Sequence, residues 1–188
     1  MEKTTPILCS SCLQPKASLK NNLHCGICER LLCKDCAQFV EGSFFSFLKV
    51  IPEELNQSTY CGTCYDQKIL PARESYLEIM ERAKQVYAFF KKDHIPLIRR
   101  SKNPVSVKDC PDYDETLLRL AFFAAEQSFN ALLEVNLVSE KVFNHGYQSL
   151  IWSGTAFPAE IRAASLEENR LKKKNEKPQP ERIGRKRK

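Results

Sequence analysis

Cys25-Gly26-Ile27-Cys28-Glu29-Arg30-Leu31-Leu32-Cys33-Lys34-Asp35-Cys36 sets two Cys-x-x-Cys pairs only four residues apart. Two more pairs flank this stretch, Cys9/Cys12 before it and Cys61/Cys64 after it. Cys110 is the single cysteine outside the four pairs. A two-residue spacer lets one tight turn aim both sulfurs at one ion, and four thiolates complete a closed tetrahedral zinc site. The eight paired sulfurs therefore predict two structural Zn2+ ions, with no coordination position left for water or substrate. A disulfide framework is the competing reading of an even cysteine count. Met1 to Leu8 holds no long apolar run and no small-residue cleavage site, so no secretory signal is expected. The expectation is a reducing, cytoplasmic compartment in which thiols stay free for metal. A redox pair needs one Cys-x-x-Cys in a βαβ setting, whereas this chain has four.

Charge is distributed unevenly over the 188 residues. The net charge is +6, and the segment from Ser165 to Lys188 accounts for all of it, with ten Lys/Arg against four Asp/Glu. Residues 1–70 carry seven basic and seven acidic side chains, and each four-thiolate zinc adds a net charge of about −2. The finger is thus expected to be negative, which argues against simple attraction to DNA or lipid phosphate. The tail is the candidate anion-binding segment, through Lys172, Lys173, Lys174, Arg185, Lys186, Arg187 and Lys188. A solubilising or targeting tail is the plainer reading of the same residues. No apolar run approaches the roughly 18 residues needed to span a bilayer.

Four segments follow from pattern and punctuation: a zinc region at 1–70, a connecting helix at 71–94, a small α/β domain at 95–164 and a disordered basic tail at 165–188. The expected fold class is α+β. Between Ala37 and Tyr60 lies an apolar stretch with Phe39, Val40, Phe44, Phe45, Phe47, Leu48, Val50 and Ile51. It reads either as a segment packed on its own domain or as an exposed docking or membrane-inserting loop, centred on Phe44, Phe45, Phe47 and Leu48. Pro71 punctuates, and Tyr76, Ile79, Met80, Ala83, Val86, Tyr87 and Phe90 then recur at helical spacing over 72–93. Short strands are expected at 96–100 and 105–108, and a helix capped by Asp112 or Asp114 up to about Phe129. A strand over 131–138 and a hairpin joining 140–143 to 147–152 around Asn144-His145-Gly146 complete the domain.

The cysteine spacing Cys-x2-Cys-x12-Cys-x2-Cys-x4-Cys-x2-Cys-x24-Cys-x2-Cys resembles the FYVE zinc finger over residues 9 to about 66. That resemblance implies interleaved ligands, with Cys9, Cys12, Cys33 and Cys36 on one zinc and Cys25, Cys28, Cys61 and Cys64 on the other. Sequential pairing, the first two pairs and then the last two, is the alternative the spacing leaves open. RING domains also interleave their ligands but need a Cys-x-His run, which Leu32-Cys33-Lys34 does not supply, so a ubiquitin ligase is not expected. FYVE domains read phosphatidylinositol 3-phosphate through a basic motif around the third cysteine and a basic residue near the seventh. Here those stretches are Asn21-Asn22-Leu23-His24-Cys25-Gly26 and Thr59-Tyr60-Cys61. The acidic tryptophan motif is also absent. Four basic groups are lost, and charge-assisted contacts are what hold a phosphate. The chain therefore looks like the FYVE-related group used for protein contacts, as in Rab-effector zinc fingers.

Residues 95–161 show a fainter likeness to YbjQ-type small bacterial α/β domains, carried by Asn130-Ala131-Leu132-Leu133 and Trp152-Ser153-Gly154-Thr155-Ala156. That family often assembles into rings, which implies a homo-oligomer. His94, His145 and Cys110 are isolated, and Ser153 and Thr155 have no visible base partner, so no catalytic residue and no small-molecule substrate is expected. The leading expectation is a non-catalytic zinc adaptor with a protein partner. Nucleic-acid binding through the tail and peripheral recruitment to an anionic membrane surface through the Phe-rich loop are the alternatives.

Overall fold

The computed structural model describes residues 8–14, 23–91, 95–144 and 147–164. The chain divides into two compact units, Met1–Glu81 and Arg82–Lys188. It mixes helix and strand as an α+β protein. Among the described residues no helix is long and apolar enough to cross a membrane.

The first unit is built from short pieces. Strands β1 (Leu23–His24) and β2 (Leu31–Leu32) form one antiparallel ribbon, and β3 (Ala37–Phe39) pairs with β4 (Thr59–Cys61) in another. The chain then enters α1 (Gly62–Cys64), a π-helical turn at Tyr65–Ile69, and α2 (Leu70–Ala83). One small core gathers Cys25, Leu32, Ala37 and Cys61, flanked by Leu23, Ile27 and Cys64. Two of its four buried members, Cys25 and Cys61, are thiols.

The helix differs from its expected span at both ends. It begins ahead of Pro71 and incorporates it. Proline has no N–H to give the carbonyl four residues back, and its ring crowds that carbonyl. The preceding π turn absorbs this: the Leu70 N–H bonds to Tyr65 O, five residues back, widening the helix just before the proline. At the other end α2 stops at Ala83 rather than near Asp93. Tyr87–Ala88 forms β5, which pairs in parallel with Ala131–Leu132, and Phe89 N–H bonds to Leu132 O. The aromatic and β-branched run Val86 to Phe90 fits a strand as well as a helix, and pairing with the sheet decides it.

The second unit is a five-stranded sheet with a helix on one face. Strands β6 (Leu97–Arg100), β7 (Val105–Cys110), β8 (Ala131–Asn144) and β9 (Tyr147–Ile161) join β5, in the order β5-β8-β9-β6, with β7 also on β9. Helix α3 (Tyr113–Glu126) starts at Asp112, whose carboxylate accepts the Glu115 N–H at 2.7 Å. It buries Leu120, Ala121, Phe122, Phe123, Ala124 and Ala125. At Gly154 the contact is so close that an added Cβ would lie 2.7–2.9 Å from Leu137, Leu120 and Thr116. A second cluster of Ala131, Leu133, Ala159 and Ile161 is flanked by Tyr87, Phe89, Ile95 and Phe157.

The expected separate strands at 131–138 and 140–143 are one continuous strand, and the hairpin's second arm runs on to Ile161. Bulges let a strand of this length follow its partner: β8 gains a residue between Leu133 and Asn136, and β7 gains one between Val107 and Cys110. Each bulge holds a residue in the left-handed region, Glu134 (φ 52) and Asp109 (φ 57). The bulge turns Glu134 to a two-point ion pair with Arg100, at 3.0 and 3.4 Å. Pro158 sits inside β9 without breaking it. Its carbonyl accepts Ser101 N–H on the outer side, so its missing N–H faces the gap where β6 gives way to β7. His94, His145 and Gly146, Asn21 and Asn22, and all the tail lysines and arginines lie outside the described residues.

Candidate metal centre

The eight paired cysteines collect into two groups, Cys9, Cys12, Cys33 and Cys36 in one, Cys25, Cys28, Cys61 and Cys64 in the other. Within each group all sulfurs lie within 4.8 Å of one another. The pairing is interleaved, so of the two arrangements open from spacing the sequential one is excluded. Four sulfurs placed tetrahedrally about 2.3 Å from a zinc ion sit about 3.8 Å apart. The cross-pair separations Cys12 Sγ to Cys33 Sγ and Cys28 Sγ to Cys61 Sγ are both 3.8 Å. The spacing and the all-thiolate donor set fit two metal ions of zinc size, one per group.

The two groups are built by one device used twice. After Cys9 and again after Cys25 the chain folds into the same knuckle. Cys9 N–H bonds to Gln14 O and Leu13 N–H to Cys9 O; Cys25 N–H bonds to Arg30 O and Glu29 N–H to Cys25 O. The residue following the second cysteine takes φ 58 in both, Leu13 in one and Glu29 in the other. A left-handed residue there reverses the chain so that both sulfurs face the same point. Glycine is the usual occupant of such a position, and its absence hid the knuckles' equivalence in the sequence.

Each knuckle is met by a second pair from elsewhere. For the first group it is the turn at Cys33 to Cys36, where Cys36 and Ala37 N–H both bond to Cys33 O on the way into β3. For the second it is the start of the helical run. Cys61 caps α1, its sulfur accepting Cys64 N–H at 3.4 Å. The knuckle and the helix start are held together by Gly26, whose N–H bonds to Thr59 O at 2.9 Å. A Cβ on Gly26 would stand 2.4 Å from the Gln57 side chain. Tyr60, fully buried, donates its hydroxyl to Gln57 O at 2.7 Å and fixes the loop that approaches Gly26.

Backbone donors set the charge state of the sulfurs. The Cys9 thiol is lowered to about 6 by the N–H of Cys12, with burial opposing and the N–H groups of Ser11 and Cys33 assisting. Burial pushes the Cys25 thiol up, but the N–H groups of Cys28, Cys61 and Ile27 outweigh it and bring it to about 6. The remaining shifts run the other way. Cys36 rises to about 12, chiefly because its thiol bonds to the Cys33 and Cys12 sulfurs. Cys64 rises to about 12, through burial first and then the Cys61 and Cys28 sulfurs. Burial likewise leads the rise at Cys28. Clustered sulfurs resist sharing negative charge, and a divalent cation is what relieves that.

The Phe-rich stretch divides. Phe45, 2% exposed, belongs to the interior, with ring centroids 4.9 Å from Phe44 and 5.4 Å from Tyr76. Phe44, Phe47 and Leu48 are half-buried, and the Arg73 guanidinium lies over the Phe44 ring at 5.0 Å. Burial removes Phe45 from any docking surface. Tyr76 and Arg73 come from α2, a contact that local patterning does not reveal. His24 donates Nδ1–H to Glu29 O at 3.1 Å and lies outside both sulfur groups. Cys110 is buried in β7, with its sulfur 3.7 Å from Lys108 O. Compared with known proteins, the chain matches no family model, no curated protein and no solved structure.

Proposed function

We propose that this chain is a non-catalytic zinc protein of a reducing, cytoplasmic compartment, whose double finger serves as a rigid protein-interaction module. The observation that carries the reading is the pair of interleaved, all-thiolate, four-sulfur groups. Four protein ligands close the coordination shell, so each metal has a structural role and no position for an attacking water. The interleaving also agrees with a FYVE-related frame. Thr59, and Asn21 and Asn22 ahead of the second knuckle, stand where that family places charge for a 3-phosphate, so the finger is read as one that contacts protein rather than a phosphoinositide.

Metal analysis joined to binding assays tests the proposal. The expected preparation contains two zinc ions per chain and binds a protein partner only while metal is present. It shows no preference for phosphatidylinositol 3-phosphate vesicles over other anionic vesicles. Iron in place of zinc, or selective capture of the 3-phosphate headgroup, would refute it. Salt-sensitive binding to generic DNA that is lost on deleting residues 165–188 would transfer the function to the basic tail.

A further inference from the structure

The two sulfur groups are alike in spacing and unlike in cover. In the second, Cys25 and Cys61 are buried, at 1% and 4% exposure, and pack with Leu32 and Ala37 in the core of the first unit. In the first, Cys9 alone is buried; Cys33 and Cys36 are half-buried and Cys12 is exposed. In each group a sulfur of one pair stands 3.8 Å from a sulfur of the other, Cys12 from Cys33 and Cys28 from Cys61. The Cys12–Cys33 contact is open to solvent, whereas the Cys28–Cys61 contact is partly buried.

The two contacts also differ in their freedom to close. A disulfide brings two sulfurs to about 2.05 Å, so either contact must shorten by about 1.8 Å. Cys12 lies in the turn of its knuckle, and Cys33 in the turn between β2 and β3; neither belongs to a strand or helix. Cys61 ends β4 opposite Ala37, and its sulfur caps α1. Drawing Cys61 toward Cys28 would pull on the strand pair, the cap and the core together. Cys9 is the poorer partner for Cys12, because its sulfur is fully buried and accepts the N–H groups of Ser11 at 3.5 Å and Cys33 at 3.3 Å. A sulfur whose lone pairs are held by N–H groups has fewer of them free to attack.

We propose, on the reading of both groups as zinc sites, that Cys12 and Cys33 are a peroxide-oxidised pair whose disulfide releases the first ion while the second group keeps its own. A metal-bound cysteine is a thiolate, and exposure selects which thiolate a hydroperoxide reaches. The Cys12 sulfur attacks the O–O bond of hydrogen peroxide, becomes a sulfenic acid and expels hydroxide. The Cys33 thiolate then attacks that sulfur; the S–S bond forms and a second hydroxide leaves. Two electrons pass from two sulfurs to one peroxide. Cys9 and Cys36 remain as two ligands where a closed site needs four. Oxidation thereby frees the knuckle that begins at Cys9 and leaves the core around Cys25 and Cys61 closed.

Zinc counted on the fresh full chain, then followed with an indicator dye during hydrogen peroxide treatment, tests this. One ion per chain should appear about tenfold faster than the other, or more, and native mass spectrometry should show chains holding a single zinc. At that stage, digestion after blocking of free thiols should give Cys12 linked to Cys33, with Cys25, Cys28, Cys61 and Cys64 recovered as blocked thiols. Dithiothreitol with added zinc should restore two ions. Cys110→Ala should keep the fast phase, and its loss in that variant would trace the oxidation to Cys110 and overturn the proposal. Release of both ions together, first oxidation at the second group, or a Cys9–Cys12 link in place of Cys12–Cys33 also overturns it. Fewer than two ions in the fresh preparation would refute the zinc reading alone, because the disulfide map is read without metal.

Discussion

Leu13 and Glu29 hold the same strained position in two copies of one knuckle, each at φ 58. The left-handed conformation costs an L-residue about 1–2 kcal/mol, while glycine accepts it at an entropic cost of about 0.5–1 kcal/mol. Leu13→Gly and Glu29→Gly should each stabilise the metal-loaded first unit by about 0.5–1 kcal/mol, seen as slower zinc transfer to a competing chelator. Slower transfer for one and faster for the other would mean the knuckles are not equivalent. Gly26→Ala should act in the opposite direction. Its Cβ meets Gln57 at 2.4 Å, and overpacking of this kind costs about 1–3 kcal/mol. The loss should fall on the Cys25, Cys28, Cys61, Cys64 site, so one zinc of the two should leave about tenfold faster or more.

Proton release is the other residue-scale consequence. At neutral pH Cys9 and Cys25, lowered to about 6, are thiolates before metal arrives. Cys36 and Cys64, raised to about 12, still carry their protons. Metal must displace the protons of the second pair, and mass action then favours binding as pH rises. Affinity at both sites should climb between pH 6.5 and 8.5, by about tenfold per pH unit for each proton displaced. Chelator competition across that range measures the slope, and a flat profile would contradict protonated Cys36 and Cys64.

At the scale of elements, helix α3 rests on a local signal and strand β9 on a long-range one. Asp112 caps α3 through the Glu115 N–H, and Asp112→Ala should cost about 1 kcal/mol of second-unit stability in a denaturant titration. Gly154→Ala should cost more, about 1–3 kcal/mol, because three side chains of α3 and β8 converge on its missing Cβ. The cap was legible from the Asp112 to Asp114 stretch because the hydrogen bond spans three residues. The eight clustered cysteines were legible because Cys-x-x-Cys is itself a local geometry. The grouping into two sites was not, since both arrangements suit a four-residue linker and only the chain path decides. The end of α2 at Ala83 was also hidden: Tyr87 and Phe89 satisfy either period until Ala131 and Leu132 offer a strand to pair with. The fate of Phe45 depended on Tyr76, more than thirty residues along the chain.

At the scale of the whole molecule, metal should divide the stability of the chain in two. The first unit's core cluster counts two of the clustered cysteines, Cys25 and Cys61, among its four buried members, so removing metal should open the interior rather than trim the surface. Structural zinc in such modules contributes about 10–16 kcal/mol of binding free energy, comparable to or larger than the 5–15 kcal/mol that holds a typical domain. The second unit, Arg82–Lys188, holds neither sulfur group, and its core comes from α3 and the sheet. A strong chelator should therefore unfold residues up to about Glu81 and leave the five-stranded unit intact. Thermal unfolding followed by far-ultraviolet circular dichroism should lose one transition on chelation and keep the other. Limited proteolysis of the chelated protein should leave a resistant fragment beginning near Arg82. Retention of both transitions after all zinc is removed would show that the sulfur groups do not organise the first unit. Loss of both would show that the second unit does not fold on its own core.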